Sequence, residues 1–247
     1  MPVRAVTAVS QPTPGALAPA VVAQRFGDLD PTDWQGQPPQ RYAVHGIDVS
    51  VWQGAIDWEQ ARANGVNFVF MKATEGGDRV DPNFGRNWQA TGAAGVTRGG
   101  YHLFYHCRPA VEQARWYIQN VPRSTGALPP VLDMEWTPTS PTCRAKQPAA
   151  VIRSEARAYL SAVAQHYGKQ PILYTTPDFF HDNDMGQLSG VTFWLRSTAA
   201  PVGETYPRQG WTFWQYSGTG QVPGIGGKVD LNAFSGSREA WAAFVGG

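Results

Sequence analysis

The sequence predicts an α/β protein, an irregular TIM-like barrel of eight strands with about five helices. Three observations support this prediction. From residue 44 onwards, strand-like and helix-like segments alternate, which is typical of βαβ units with parallel strands. Eight strand candidates are present, the number that closes such a barrel. The last three candidates are separated by connections too short for full crossover helices, so we expect helices to be sparse in the last third of the barrel.

Local patterns place the individual elements. Short apolar runs predict strands at residues 44–50, 67–74, 97–106, 129–136, 170–176, 191–197, 210–217 and 228–234. Helices are predicted at residues 57–65, 82–95, 109–121, 147–168 and 238–245. Asp57 and Gly65 suit the two caps of the first helix. Pro82 and Pro109 suit first helical turns, and Gly168 suits the end of the longest helix.

The composition excludes several classes of protein. The 247 residues include 20 Lys and Arg against 19 Asp and Glu, a net charge of +1, which argues against a nucleic-acid-binding surface. Hydrophobic residues make up 42% of the chain, so it can bury enough apolar surface to fold. No run of 18 apolar residues occurs, so no membrane span is predicted.

The first 40 residues differ in composition from the rest. They are rich in Ala, Val, Pro and Gln, and prolines interrupt each apolar stretch, so no clear signal peptide is present. We therefore expect a flexible leader over residues 1–40, removable without loss of fold or activity, and a single catalytic barrel domain over residues 41–247.

Acidic residues fall at the ends of the predicted strands. Asp48 closes the first strand, Asp133 and Glu135 close the fourth, and Asp230 lies on the eighth. Because side chains alternate along a strand, Asp133 and Glu135 should share a face, with their Cα atoms about 6.5–7 Å apart. Because the eighth strand closes against the first, Asp230 and Asp48 should be neighbours. Four carboxyls at one barrel mouth would raise at least one pKa, as a general acid requires. The competing interpretation is that these acids cap loops or form ion pairs.

A series of motifs in a fixed order carries a resemblance to a known family. HGIDVSVWQGAIDW, FVFMKATEG, RGGYHLF, PPVLDMEW, PILYTT, FWQYS and VDLNAF occur in this order over residues 44–235. Together they resemble glycoside hydrolase family 25, the lysozymes (N-acetylmuramidases) of bacteria, their phages and some fungi. The resemblance implies an irregular barrel, with Asp48, Asp133 and Glu135 as active-site acids and Asp230 as a fourth acid in the cleft. The segment FWLRST differs from the family pattern, so the resemblance implies no sugar contact at Arg196 or Ser197.

The resemblance also implies an activity. The expected reaction is hydrolysis of the β-1,4 bond between N-acetylmuramic acid and N-acetylglucosamine in peptidoglycan, with no cofactor. The expected partner is the peptidoglycan glycan strand, and the protein is expected to be a secreted or periplasmic monomer. A non-catalytic wall-binding barrel and a chitin-type N-acetylglucosaminide hydrolase stay open as alternatives.

The two acids on the fourth strand bear on the mechanism. Because Glu135 and Asp133 come from the same side of the substrate, they do not straddle the bond as a nucleophile and acid pair would. We therefore expect Glu135 to be the general acid and Asp133 to steady the 2-acetamido group of the substrate, whose oxygen attacks with retention. Direct attack by Asp48 and inversion with Asp48 as base are the alternatives.

Four further residues are candidate substrate contacts. Tyr101, Tyr174 and Trp214 lie on strands near the predicted mouth, where aromatic faces suit sugar rings, and core packing is the competing interpretation. Gln53 follows Asp48 in the first loop and could bind an acid or a sugar. Lys72 and Glu75 are interpreted as an ion pair or a substrate contact.

The two cysteines are expected to form a disulfide. Cys107 follows the third strand and Cys143 follows the fourth, and loops after neighbouring strands lie close together. Two free thiols in a cytosolic protein are the alternative. His102 and His106 precede Cys107, but the segment has no fourth ligand at a suitable spacing, so no metal site is predicted.

Overall fold

The computed structural model describes residues 20–140 and 142–246. Within them, eight strands close the barrel: β2 (Val44–Val49), β3 (Phe68–Glu75), β5 (Thr97–Leu103), β6 (Val131–Met134), β7 (Ile172–Thr175), β8 (Thr192–Arg196), β9 (Phe213–Gln221) and β10 (Val229–Phe234). Two short strands, β1 (Gly27–Asp28) and β4 (Arg79–Val80), pair with β9 and β3. The α/β fold class and the eight-stranded barrel are therefore confirmed.

Seven α-helices accompany the strands within the described residues: α1 (Trp58–Ala63), α2 (Phe84–Ala93), α3 (Ala110–Asn120), α4 (Ala149–Tyr167), α5 (Pro177–Asp182), α6 (Val202–Thr205) and α7 (Arg238–Gly246). Asp57 caps α1 by accepting a hydrogen bond from the Gln60 N–H at 2.9 Å. Gly168 ends α4 in the left-handed region, at φ 67°. The short helices α5 and α6 were not predicted, because neither is long enough to show a 3.6-residue period.

The barrel is parallel from β2 to β9 and irregular at its closure. Strands β2, β3, β5, β6, β7, β8 and β9 pair in parallel in that order. Strand β10 pairs antiparallel with both β9 and β2. Residues 222–228, which connect β9 to β10, are too few for a crossover helix, so β10 has to run back along β9. This irregularity brings Asp230 opposite Asp48.

The core has two apolar layers, one between the strands and the outer helices and one inside the barrel. Phe68, Phe70, Trp194 and Phe213 fill the barrel interior, and Phe70 stacks on Trp194 with ring centroids 4.4 Å apart. Trp241 of α7 packs against Phe68 with centroids 5.3 Å apart, near the amino end of β3. Aromatic side chains therefore fill the interior below the carboxyl ends of the strands, and polar groups line the mouth at those ends.

The described part of the predicted leader packs against the barrel. The Asn67 side chain accepts a hydrogen bond from the Val22 N–H and donates one to the Val22 carbonyl, both at 2.8 Å. Trp34 meets Trp214 edge to face, with centroids 5.1 Å apart. Residues 20–40 thus have little regular structure of their own and contact the barrel through side chains that are distant in sequence, whereas their flexibility stays a prediction. Residues 1–19 of the predicted leader lie outside the described residues, and the domain boundary at residue 41 stays a prediction.

The predicted disulfide is present. Cys107, in the loop after β5, is bonded to Cys143, in the loop after β6, with Cα atoms 5.4 Å apart. As expected, the neighbouring strands β5 and β6 bring the two loops together. No helix in the described part of the chain is long and apolar enough to span a membrane.

Candidate active site

Four carboxyl side chains meet at the carboxyl end of the barrel. Asp48 lies near the end of β2, Asp133 lies on β6, Glu135 directly follows β6, and Asp230 lies near the start of β10. All four line one cleft of about 510 Å³. Met134, between the two acids of β6, is buried against the helix layer, so Asp133 and Glu135 share the inward face as predicted. The four acids predicted from the sequence are therefore brought together.

A buried hydrogen-bond network holds Asp48. One carboxylate oxygen, Oδ2, accepts hydrogen bonds from Asn232 Nδ2 at 2.8 Å and Gln215 Nε2 at 2.9 Å. Each amide is oriented by an aromatic donor: Trp194 Nε1 donates to Asn232 at 2.7 Å, and the Tyr174 hydroxyl donates to Gln215 at 2.8 Å. Burial, followed by the charge of Asp230, raises the pKa of Asp48 well above its usual range. Burial also raises the pKa of Asp230, although the positive charge of Arg196 and the hydrogen bond with Asp48 oppose this change.

The pKa values of Asp133 and Glu135 are also raised. Burial, followed by repulsion from Glu135, raises the pKa of Asp133 well above its usual range. Burial raises the pKa of Glu135, although the positive charges of Arg196 and Lys72 oppose this change. Asp133 Oδ1 is buried without a hydrogen-bond partner among the described residues. A carboxyl with a raised pKa, that of Glu135, and an unpartnered acceptor, Asp133 Oδ1, thus face the same cleft.

Two cations line the cleft, and they differ in whether they have a partner. Lys72 forms an ion pair with Glu75, whose other oxygen accepts a hydrogen bond from the Tyr105 hydroxyl at 2.9 Å. This contact supports the ion-pair interpretation of Lys72 and Glu75. Arg196, at the end of β8, is partly buried, and its guanidinium has no hydrogen-bond or ion-pair partner in residues 20–140 and 142–246.

Aromatic side chains line both the floor and the rim of the cleft. Tyr101 and Tyr174 line it as predicted, and Trp194 forms part of its inner wall. Trp52 lies at its rim, and 87% of that side chain is exposed. The turn that carries Trp52 is fixed, because Asp81 Oδ2 accepts a hydrogen bond from the Val51 N–H at 2.7 Å.

Two of the candidate substrate contacts do not line the cleft. Trp214 is 1% exposed and packs outside the barrel strands, where its indole N–H donates to the Ser197 carbonyl at 2.7 Å. This placement supports the core-packing interpretation of Trp214. Gln53 caps its own turn: its side chain accepts from the Ser50 N–H at 2.9 Å and donates to the Lys228 carbonyl at 3.2 Å.

Sequence reasoning missed Gln215, Asn232, Trp194 and Trp52. Gln215 is two residues from Phe213, so it shares the interior face of β9. A polar residue on the interior face near the mouth of the barrel could have identified Gln215 as a site residue. Asn232 stands two residues from Asp230 on β10 in the same way. Trp52 carries no comparable signal, because nothing in the local sequence distinguishes an exposed aromatic from a buried one.

The histidines near Cys107 have other partners. His102 is buried between Thr74 Oγ1 at 2.7 Å and Gln113 Oε1 at 3.1 Å. His106 Nε2 donates to the Glu135 backbone carbonyl at 2.9 Å. Among the described residues, no group of three or more His, Cys, Asp or Glu side chains is arranged to hold a metal ion.

Paired carboxyls beside aromatic side chains in one cleft are the groups that glycoside hydrolases use to cleave and bind sugars. Comparison with known proteins agrees with this class: the family model described as "Glycosyl hydrolases family 25" matches residues 47–225. The chain therefore belongs to glycosyl hydrolase family 25.

Individual relatives cover most of the chain. The uncharacterized protein YegX of Escherichia coli K12 is 41% identical over 220 residues, which cover 85% of this chain and 76% of YegX. Lysozyme M1 of Streptomyces globisporus is 33% identical over 81% of this chain and 70% of its own length. The crystal structure of the bacterial lysozyme from Streptomyces coelicolor superposes with a TM-score of 0.73, at 31% identity, over 82% of this chain and 97% of that one.

Proposed function

We propose that this protein is a lysozyme that hydrolyses the β-1,4 bond between N-acetylmuramic acid and N-acetylglucosamine in peptidoglycan. The observation that carries the proposal is the cleft in which Glu135 and Asp133 share one face opposite the Asp48–Asp230 pair. The lysozymes of Streptomyces globisporus and Streptomyces coelicolor among the similar proteins support the choice of substrate.

Glu135 is the proposed general acid. Burial raises the pKa of Glu135, so the carboxyl retains a proton closer to neutral pH than an exposed glutamate does. As the glycosidic bond breaks, this proton passes to the oxygen that leaves with N-acetylglucosamine. The resulting Glu135 carboxylate then takes a proton from the water that completes hydrolysis.

Asp133 is the proposed partner of the 2-acetamido group. Its Oδ1 atom is buried and lacks a hydrogen-bond donor, and an acetamido N–H would supply one. With the group oriented in this way, the acetamido oxygen attacks the anomeric carbon and forms a bond as the bond to the leaving oxygen breaks. Water then attacks the anomeric carbon, the bond to the acetamido oxygen breaks, and the acetamido group is restored. Because the anomeric carbon undergoes two displacements, its configuration is retained.

Asp48 and Asp230 stabilise the positive charge that develops on the sugar ring. Two amide donors and the carboxyl of Asp230 already engage Asp48, which makes Asp48 a poor nucleophile. These hydrogen bonds to Asp48 disfavour both alternatives that use it, which are direct attack by Asp48 and inversion with Asp48 as base. Proton NMR of the first-formed product separates the stereochemical outcomes, with a β-anomer expected and an α-anomer contradicting retention.

The activity is tested with purified peptidoglycan and matched chitin oligomers. After digestion, borohydride converts each new reducing end into its alcohol, and mass spectrometry identifies the sugar. We expect muramitol ends from peptidoglycan and no comparable release from the Glu135→Gln variant. Glucosaminitol ends, or faster cleavage of chitin oligomers, would favour the chitin-type alternative. Binding to the wall without any new reducing ends would favour a non-catalytic module.

The location of the protein follows from its substrate. We propose that it acts outside the cytoplasm, secreted or in the periplasm, as a monomer that contacts glycan strands and not nucleic acid. The Cys107–Cys143 disulfide supports an oxidising compartment. Alkylation of freshly isolated native protein without reductant should leave both cysteines unmodified, and two alkylated cysteines would contradict export. Light scattering at several concentrations tests the monomer.

A further inference from the structure

The cleft contains a cation that the proposed chemistry does not use. Arg196 ends β8 and shares the inward face of that strand with Trp194, two residues earlier. Its backbone is fixed, because its carbonyl accepts a hydrogen bond from the Tyr206 hydroxyl at 2.7 Å. Its guanidinium has no partner in the described part of the chain, whereas Lys72 in the same cleft is paired with Glu75.

The strand order separates Arg196 from the acids of the cleft. In the sheet, Met134 of β6 is aligned with Thr175 of β7, and Thr175 is aligned with Leu195 of β8. Glu135 comes directly after Met134 and Arg196 directly after Leu195, so Glu135 and Arg196 lie at the same height along the barrel axis. With two strand spacings between them, their Cα atoms are about 10 Å apart. Asp230 is also two strands away, across β9. Arg196 thus lies between two acids and is bonded to neither.

A guanidinium presents planar donors that match a carboxylate, and it is costly to leave them unsatisfied in a partly buried site. Each ionised carboxylate in the cleft repels anions, so an anionic substrate group needs a local cation. Muramic acid carries such a group, the carboxyl of its lactyl ether, on the ring carbon next to the acetamido group. In wall material that carboxyl is free, or is linked to a stem peptide that carries carboxylates of its own.

We infer that Arg196 is a specificity-determining residue that binds a carboxylate carried by the muramic acid of the substrate, on the lactyl group itself or on the stem peptide. The inference rests on the proposed function, because it takes muramic acid to be the sugar bound beside Asp133 and Glu135. It makes the substrate class a glycan with anionic substituents rather than any N-acetylated β-1,4 glycan.

The test compares two pairs of soluble glycan tetramers, and the members of each pair differ in the charge of one kind of group. In the first pair the lactyl carboxyls are free or converted to methylamides. In the second pair the tetramers carry stem peptides whose carboxyls are free or amidated. The measured quantity is the ratio of kcat/KM for the charged substrate to that for its neutral counterpart. A change in the pKa of Glu135 affects both members of a pair equally, so it cancels from this ratio.

For the wild type, we expect a ratio of about 10–100 in favour of a carboxylate-bearing substrate, reduced by added salt. Arg196→Gln should bring the ratio close to one, and Arg196→Lys should restore part of it, since Lys keeps the charge but not the planar fork. Arg115→Gln, which removes an exposed arginine on the outer helix α3, is the control and should leave the ratio unchanged. Preference for free lactyl carboxyls or for peptide carboxylates identifies the source of the charge.

Two results would overturn the inference: a wild-type ratio near one, or a ratio that Arg196→Gln leaves unchanged while both rates fall together. The second result would assign Arg196 to the acid cluster. Failure of the wild type to cleave any of these muramyl substrates would instead contradict the proposed function.

Discussion

Replacing Asp133 with Asn should stabilise the protein at neutral pH while lowering its activity. Asp133 is 7% exposed, its Oδ1 atom has no hydrogen-bond partner among the described residues, and burial and Glu135 raise its pKa. An acid whose pKa is raised on folding binds its proton more tightly in the folded state. The free energy of unfolding therefore falls as the pH rises from the unfolded pKa through the folded pKa.

The magnitude follows from the spacing of the two acids. Residues two apart on a strand have Cα atoms about 6.5–7 Å apart, and at an effective dielectric constant of about 20 two charges at that distance repel by about 2.5 kcal/mol. The attraction of Lys72 for Asp133 offsets part of this energy. We expect Asp133→Asn to add about 1–2 kcal/mol to the free energy of unfolding at pH 8, a rise in Tm of about 2–8 °C.

Calorimetry at pH 4 and pH 8 checks this prediction. At pH 4 the folded wild type keeps the proton on Asp133, so the two proteins should melt at similar temperatures, and the difference should appear as the pH rises. Asp182→Asn is the matched control, because Asp182 is exposed and pairs with Lys146 at 2.8 Å. Its pKa is lowered, so its loss should not stabilise the protein at pH 8. A Tm for Asp133→Asn that is no higher at pH 8, or a difference of equal size at both pH values, would refute the reasoning.

Three further predictions concern the acid, the rim and the leader. Glu135→Gln should lower kcat by about 10²–10⁴-fold, because Gln cannot donate a proton. The wild type should lose activity as the pH rises through the pKa of Glu135, and the variant should not show this loss. A variant with near wild-type kcat would exclude Glu135 as the acid. Trp52→Ala should lower kcat/KM on long glycans by about 2–10-fold without lowering Tm, because the exposed indole offers a face to a sugar ring. Trp52→Tyr keeps an aromatic face and should be close to wild type. An unchanged kcat/KM for Trp52→Ala would show that Trp52 has no role in binding. A chain that starts at Arg41 should melt about 5–10 °C below the full chain, because it loses the contacts of Val22 and Trp34 with the barrel. Equal melting temperatures would show that these contacts contribute nothing to stability.

The barrel and its acids could be predicted because simple periodicities determine them. Alternation with period two places Asp133 and Glu135 on one face and Met134 on the other, and strand closure brings Asp230 to Asp48. The disulfide follows from the same order of strands, since β5 and β6 are neighbours both in sequence and in the sheet.

The remaining features depend on tertiary contacts. The segment FWQYS of β9 has aromatic residues on both faces, so its pattern cannot tell whether Phe213 or Trp214 faces the interior. Pairing of Phe213 with Trp194 of β8 decides this, and Trp214 consequently packs against Trp34 outside the barrel. Residues 20–40 likewise have little regular structure of their own, and their contacts are with partners such as Asn67 that are distant in sequence.

The central mechanistic proposal is that the substrate's own acetamido oxygen, oriented by Asp133, is the nucleophile. The most direct measurement is the rate on a series of soluble substrates in which the acetyl group of the muramic acid carries zero, one, two or three fluorine atoms. Fluorine withdraws electrons from the amide oxygen, so kcat should fall steeply with each added fluorine if that oxygen attacks the anomeric carbon. A kcat that is the same across the series would contradict acetamido participation and return the role of nucleophile or base to Asp48.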